Sequence, residues 1–94
     1  MGGRRRRWFF YVLRCADSSL YAGVTTDVAR RVTEHNQSRR GAKYTRSRRP
    51  VHLVYQRECR DQSEAQVNER GFKRLSKREK EGFIDERQGF GVDP

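Results

Sequence analysis

The sequence predicts one small α/β domain of the α+β type, a three-stranded, mostly antiparallel sheet flanked by three helices in the order β-β-α-β-α-α. Three observations carry that reading. Ninety-four residues leave room for a single core. Only 33% of the residues are hydrophobic, so the core is thin, and five of the aromatics (Trp8, Phe9, Phe10, Tyr11 and Tyr21) cluster near the start, where they must anchor it. Strand-like and helix-like segments also follow one another through short links, with one long basic exception between residues 37 and 49.

Trp8 to Cys15 is aromatic and β-branched enough for a first strand that is apolar on both faces. Ala16-Asp17-Ser18-Ser19 reads as a turn, and Leu20 to Val24 as the second strand of a hairpin. Thr25-Thr26-Asp27 offers N-caps for a helix to about Asn36, on which Val28, Arg31, Val32 and His35 share one stripe. Residues 37–49 lack periodicity and read as a basic loop closed by Pro50. Val51 to Cys59 alternates as a third strand, and Asp61 to Leu75 forms a helix with Ala65, Glu69 and Phe72 along one face. Ser76-Lys77-Arg78-Glu79 has capping-box spacing and opens a short helix to about Arg87. The domain therefore spans 8–88, between a basic tail at 1–7 and a frayed tail at 89–94.

Lys and Arg outnumber Asp and Glu by 22 to 12, for a formal charge of +10 and a pI near 10.6. A charge of that size draws polyanions and releases their counterions. Most of the cations are Arg, whose planar fork suits phosphate oxygens; codon bias is the competing reading. Cys15 and Cys59 are too few for a disulfide framework and lack metal-ligand spacing, so buried, reduced thiols in a cytoplasmic protein are expected. No apolar run approaches the ~20 residues of a membrane span. Arg4–Arg7 before Trp8–Leu13 imitates a secretion signal, but the apolar part is short and no small-residue cleavage site follows.

Arg31, His35 and Glu69 stand where the helical patterns ask for apolar residues. Burying a charge is costly unless it is paired or serves a site, so the three point to a cleft beside the hairpin tyrosines. Off-by-one boundaries or outward snorkelling are the plain alternative.

The ordered residues carry a resemblance. Phe9-Phe10-Tyr11 is followed, ten residues after Tyr11, by Tyr21-Ala22-Gly23. Arg31 comes eight residues past that glycine, His35 four further, and Ala65-x-x-x-Glu69 lies on a later helix. Gly41-Ala42-Lys43-Tyr44-Thr45-Arg46 and Arg49-Pro50-Val51 add to the match. Over residues 8–85 the chain resembles the GIY-YIG nuclease family, in its small stand-alone bacterial form.

The resemblance implies a nuclease or nicking domain that hydrolyses phosphodiester bonds in DNA repair or processing. Tyr11 and Tyr21 would orient the attacking water, with Tyr21 the preferred base; an ordinary tyrosine needs a neighbouring cation for that, and Arg31 could supply it. Gly23 would let backbone approach the scissile phosphate, Arg31 would stabilise phosphoryl charge, and His35 would transfer protons or orient substrate. Glu69 would be the sole carboxylate ligand of one Mg²⁺, with Mn²⁺ as substitute. One carboxylate suffices because water and substrate phosphate complete the octahedron. The implied partner is nucleic acid, DNA ahead of RNA, bound by a monomer or weak homodimer, with a targeting protein partner left open. Departures exist: Phe9 replaces a glycine, Val24 stands where repair-type members carry a basic residue, no asparagine follows Glu69, and Gly71 and Gly82 weaken helices.

The 37–49 loop holds six cations and no acid, and Arg39, Arg40, Lys43, Tyr44, Arg46, Arg48 and Arg49 are its candidate nucleic-acid contacts; a solvated, disordered loop is the alternative. His52 reads as structural. One geometric demand follows from strand alternation: a four-residue turn pairing Cys15 with Leu20 would put Tyr11 and Tyr21 on opposite faces, so a three- or five-residue connection or a bulge is predicted. The competing function is a nucleic-acid-binding module with this fold and little cleavage activity; an accessory subunit contacting RNA or protein is the third.

Overall fold

A computed structural model describes the backbone of residues 7–92 and side chains as far as Arg87. Arg4–Arg6 of the basic tail lie outside the described residues. Arg7 pairs with Glu58 at 2.9 Å.

The apolar Trp8–Arg14 segment becomes β1, and it is the middle strand of a sheet ordered β2-β1-β3. A central strand covered on both faces has no polar side to offer, which is why Phe10, Tyr11, Val12 and Leu13 are all buried. Leu20–Thr25 (β2) and His52–Cys59 (β3) both run antiparallel to β1. Arg14 pairs with Leu20, so five residues connect β1 to β2. Tyr11 consequently faces Gly23 and Leu13 faces Tyr21, which puts both tyrosines on one side of the sheet, as the parity demand required. Ser18 completes the turn in the left-handed region at φ 72. A register shift between Val12 and Leu13 lets β3 send Val54 and Tyr55 to one face and Leu53 to the other.

Val28–Gln37 is α1; its cap is Asp27, whose carboxylate accepts from the Arg30 amide. Gln62–Lys73, two helices later in the chain, is capped in the same way by Asp61. Ser76 and Glu79 exchange the two hydrogen bonds of a capping box at the start of the last helix.

Two expectations need correction. The basic loop contains a four-residue helix, Lys43–Arg46 (α2), which makes Gln62–Lys73 α3 and Lys77–Val92 α4. One turn is too short to show periodicity, so only its tertiary contacts could specify it. The final helix is also longer than expected: it has 16 residues and continues to Val92, beyond the expected end near Arg87. Gly89 and Gly91 lower its propensity but do not end a helix already nucleated at Ser76 and seated by Ile84. Residues 93–94 lie outside the described residues.

The sheet separates two cores. On one face Phe10, Val12 and Ala22 meet Ala65 and Phe72 of α3 and Ile84 of α4. Phe10, Tyr55, Phe72 and Phe83 form a ring cluster there, with centroids 5.1 to 5.9 Å apart. On the other face Tyr11, Leu13, Cys15 and Val51 gather Tyr21, Leu53 and Val32 of α1. Both cysteines are buried and unbridged, as expected.

Candidate active site

Tyr11 is the node of the second face. Its ring lies over Gly23 on the edge strand, and a Cβ built there would stand 2.5 Å from Oη and 2.7 Å from Cζ. The glycine makes the room that the phenol fills.

The hydroxyl of Tyr11 is 2.9 Å from Nε2 of His35. His35 is wholly buried, and its other nitrogen, Nδ1, is 2.9 Å from the Thr45 hydroxyl. The backbone N–H of Ala42 also donates to Nδ1, at 3.3 Å. A backbone hydrogen cannot rotate away, so Nδ1 must present its lone pair and Nε2 must carry the proton. His35 then donates to Tyr11. The Thr45 hydroxyl has one hydrogen and two acceptors within reach, Nδ1 and the Ala42 carbonyl, each 2.9 Å from its oxygen.

Burial sets the charge state of both groups. Desolvation, helped by the Arg31 charge, drives the His35 pKa down to about 4. Desolvation also raises the Tyr11 pKa to about 12, with Tyr21 and Glu69 adding to the rise and Arg31 opposing it. At neutral pH the imidazole is neutral and the phenol keeps its proton. The same shift carries contributions from Tyr21, Arg31 and, last among its causes, Glu69. Tyr21 also sets its ring edge-on to His35 at 5.2 Å and stacks with Tyr44 at 5.8 Å.

Arg31 and Glu69 are held by neighbours that the sequence did not announce. Arg31 donates to Glu34 at 2.9 Å and to the Arg40 carbonyl at 2.7 Å. Glu69 accepts Lys73 at 2.9 Å, and its side chain is 20% exposed. No three His, Cys, Asp or Glu side chains cluster as a metal cage among the described residues. One largely covered carboxylate does fit Mg²⁺, a hard cation that keeps most of its water and takes phosphate oxygens. Such an ion would compete with Lys73 for Glu69.

The basic loop divides its cations. Arg49 donates to the carbonyls of His35 and Ser38, both at 2.6 Å, and so caps the end of α1. Arg48 bonds Asp17 at 2.9 Å and the Tyr44 carbonyl at 2.8 Å, and lies 3.8 Å over the Tyr44 ring. Both side chains are engaged in holding the loop. Arg39, Lys43 and Arg46 are exposed, and their side chains bond no described residue. The Arg40 side chain is exposed too. Thr45, Ala42 and Gly41 belong to the run that carries the resemblance, but the sequence assigns them no role. A Cβ at Gly41 would meet the Glu34 carbonyl and the His35 Cα at 2.8 Å, so the loop is pressed onto α1 beside His35. That contact leaves no periodic trace in the sequence.

Residues 7–82 match the GIY-YIG catalytic domain. A UPF0213 protein of Desulfotalea psychrophila is 55% identical over 80 residues, covering 85% of this chain and 73% of that protein. A UPF0213 protein of Listeria innocua is 48% identical, covering 85% and 88%. The solution structure of the UPF0213 protein BH0048 from Bacillus halodurans is 43% identical, with a TM-score of 0.55 over 84% of this chain and 83% of that one. That of EF2693 from E. faecalis is 40% identical, with a TM-score of 0.60 over 96% and 92%. The chain thus belongs to the GIY-YIG catalytic-domain family, a nuclease-associated family, and is similar to its small bacterial UPF0213 members.

Proposed function

We propose that this protein is a metal-dependent endonuclease or nicking domain that hydrolyses nucleic-acid phosphodiester bonds, of DNA ahead of RNA, in repair or processing. The observation that carries the proposal is the Tyr11 hydroxyl, bonded at 2.9 Å to the buried His35 on the sheet face where Tyr21 also sets its ring against His35. A water oxygen would attack phosphorus, its proton passing to a base, while the bond to the leaving sugar oxygen breaks and that oxygen takes up a proton. Tyr11 holds its own proton too firmly to be that base, so it orients the water or a phosphate oxygen; Tyr21, once it has released its own proton to solvent, would take the proton of the water. Arg31 faces the charge that builds on the phosphoryl oxygens. Glu69 would hold Mg²⁺, or Mn²⁺ in its place, and that ion would supply Lewis-acid stabilisation of the phosphate. Arg39, Arg40, Lys43 and Arg46 are free to meet the backbone, where Arg48 and Arg49 shape the loop.

Supercoiled plasmid, branched DNA, single strands and RNA, each incubated with Mg²⁺, Mn²⁺ or EDTA, test this. Cleavage should require the divalent ion and fall roughly 100-fold or more in Glu69→Ala. The internal pairing of Arg31 with Glu34 and Glu69 with Lys73 favours a second reading, a binding module with the same fold. Wild type and Glu69→Ala that bind equally and cut nothing would establish that reading instead.

A further inference from the structure

We propose that Thr45, together with the Ala42 N–H, is a positioning group that locks His35 in its Nε2-protonated tautomer and thereby turns the Tyr11 hydroxyl proton away from the imidazole. The catalytic part of this rests on the nuclease reading; the tautomer part does not.

The contacts are directional. Nδ1 receives the Ala42 amide hydrogen at 3.3 Å and lies 2.9 Å from the Thr45 hydroxyl. Protonation of Nδ1 would set two N–H groups against each other. With Nδ1 bare, Nε2–H donates to Tyr11 Oη at 2.9 Å. A phenol oxygen that accepts this bond must aim its own hydrogen away from the imidazole. The opposite tautomer would have Tyr11 donating to Nε2, its hydrogen spent on the imidazole.

Thr45 and Ala42 belong to the basic loop, and the same loop grips the rest of the site. The Arg40 carbonyl accepts from Arg31 at 2.7 Å, and Arg49 holds the His35 carbonyl at 2.6 Å. Gly41 allows the loop to touch the helix backbone beside His35. The segment bearing the unpaired cations is therefore also the segment that orients the site's polar groups. Its phosphate contacts and its effect on Tyr11 are mechanically one.

Nitrogen-15 NMR of the imidazole rings in the intact protein at pH 7 reads the tautomer without any catalysis. His35 should show a bare Nδ1 and a protonated Nε2; the reverse assignment would overturn the inference. In Thr45→Val, which keeps the shape and removes the hydroxyl, the two ring shifts should move toward tautomer averaging. Cleavage kcat should fall about tenfold with KM unchanged, and Thr45→Ser should restore both. Unaltered shifts in Thr45→Val would also overturn it. Should the wild type cut no substrate, the nuclease reading fails while the ring shifts still decide the tautomer lock.

Discussion

The two faces of the sheet use burial differently. Beneath Phe10 and Val12 the covered groups are hydrocarbon and aromatic, packed ring to ring with Phe72 and Phe83. Above Tyr11 and Leu13, the buried set includes His35 and Thr45, both fully covered and both hydrogen-bonded. No buried side-chain nitrogen or oxygen among the described residues lacks a partner. The first face supplies cohesion through area removed from water. The second gives up some of that cohesion to hold polar groups in one geometry. A domain with so few apolar residues can support such a site because the opposite face carries the stability.

Four measurements can break or sharpen that contrast. The largest effect belongs to the apolar face: Phe72→Ala should destabilise by about 3–5 kcal/mol in urea unfolding, while the protein that remains folded cuts at the wild-type rate. A loss below about 1 kcal/mol would show that this face is not the main support.

The polar face should be sensitive to acid. His35 titrates near 6.5 when unfolded and near 4 when folded, so below pH 6.5 the unfolded chain takes up a proton that the folded one refuses. Its contribution is intact above pH 6.5 and is lost as pH falls toward 4, by up to about 3 kcal/mol. Between pH 6.5 and 5, above the carboxylate range, His35→Gln should flatten the slope. A variant as pH-dependent as wild type in that window would assign the effect elsewhere.

Gly23→Ala is a smaller change in stability with a larger one in function. The new methyl would collide with Tyr11 Oη and Cζ, costing about 1–3 kcal/mol and swinging the phenol off His35. Cleavage should fall much further than the melting temperature does; equal, modest losses would mean that Tyr11 tolerates displacement. Least of all, Ser18→Gly relieves a left-handed residue at φ 72 and should add well under about 1 kcal/mol without touching activity. Destabilisation there would point to an unrecognised role for the serine.

Much of the first face was legible in the sequence because it obeys simple periods. The Asp27, Asp61 and Ser76 starts follow from capping chemistry, and the common face of Tyr11 and Tyr21 follows from strand parity once the connection has five residues. Of the candidate site, Arg31, His35 and Glu69 stood out as polar residues on apolar stripes. Thr45, Ala42 and Gly41 did not, because their significance lies in contacts made across a loop without periodicity. Arg48 and Arg49 looked like their basic neighbours, and only the carbonyls and the carboxylate they meet distinguish them. Local pattern reports which way a residue faces; it does not report what is waiting for it there.

The Asp17–Arg48 bridge joins the hairpin tip to the end of the basic loop, seconded by the Ala16 amide on the Arg48 carbonyl at 2.9 Å. Two segments distant in the chain thus form a clasp between the hairpin tip and the basic loop. A nucleic acid that docks there cannot rely on the protein to mould itself around it. Whatever bending or unpairing the fit requires must come from the nucleic acid, so strands that are already kinked, frayed or branched should enter most readily.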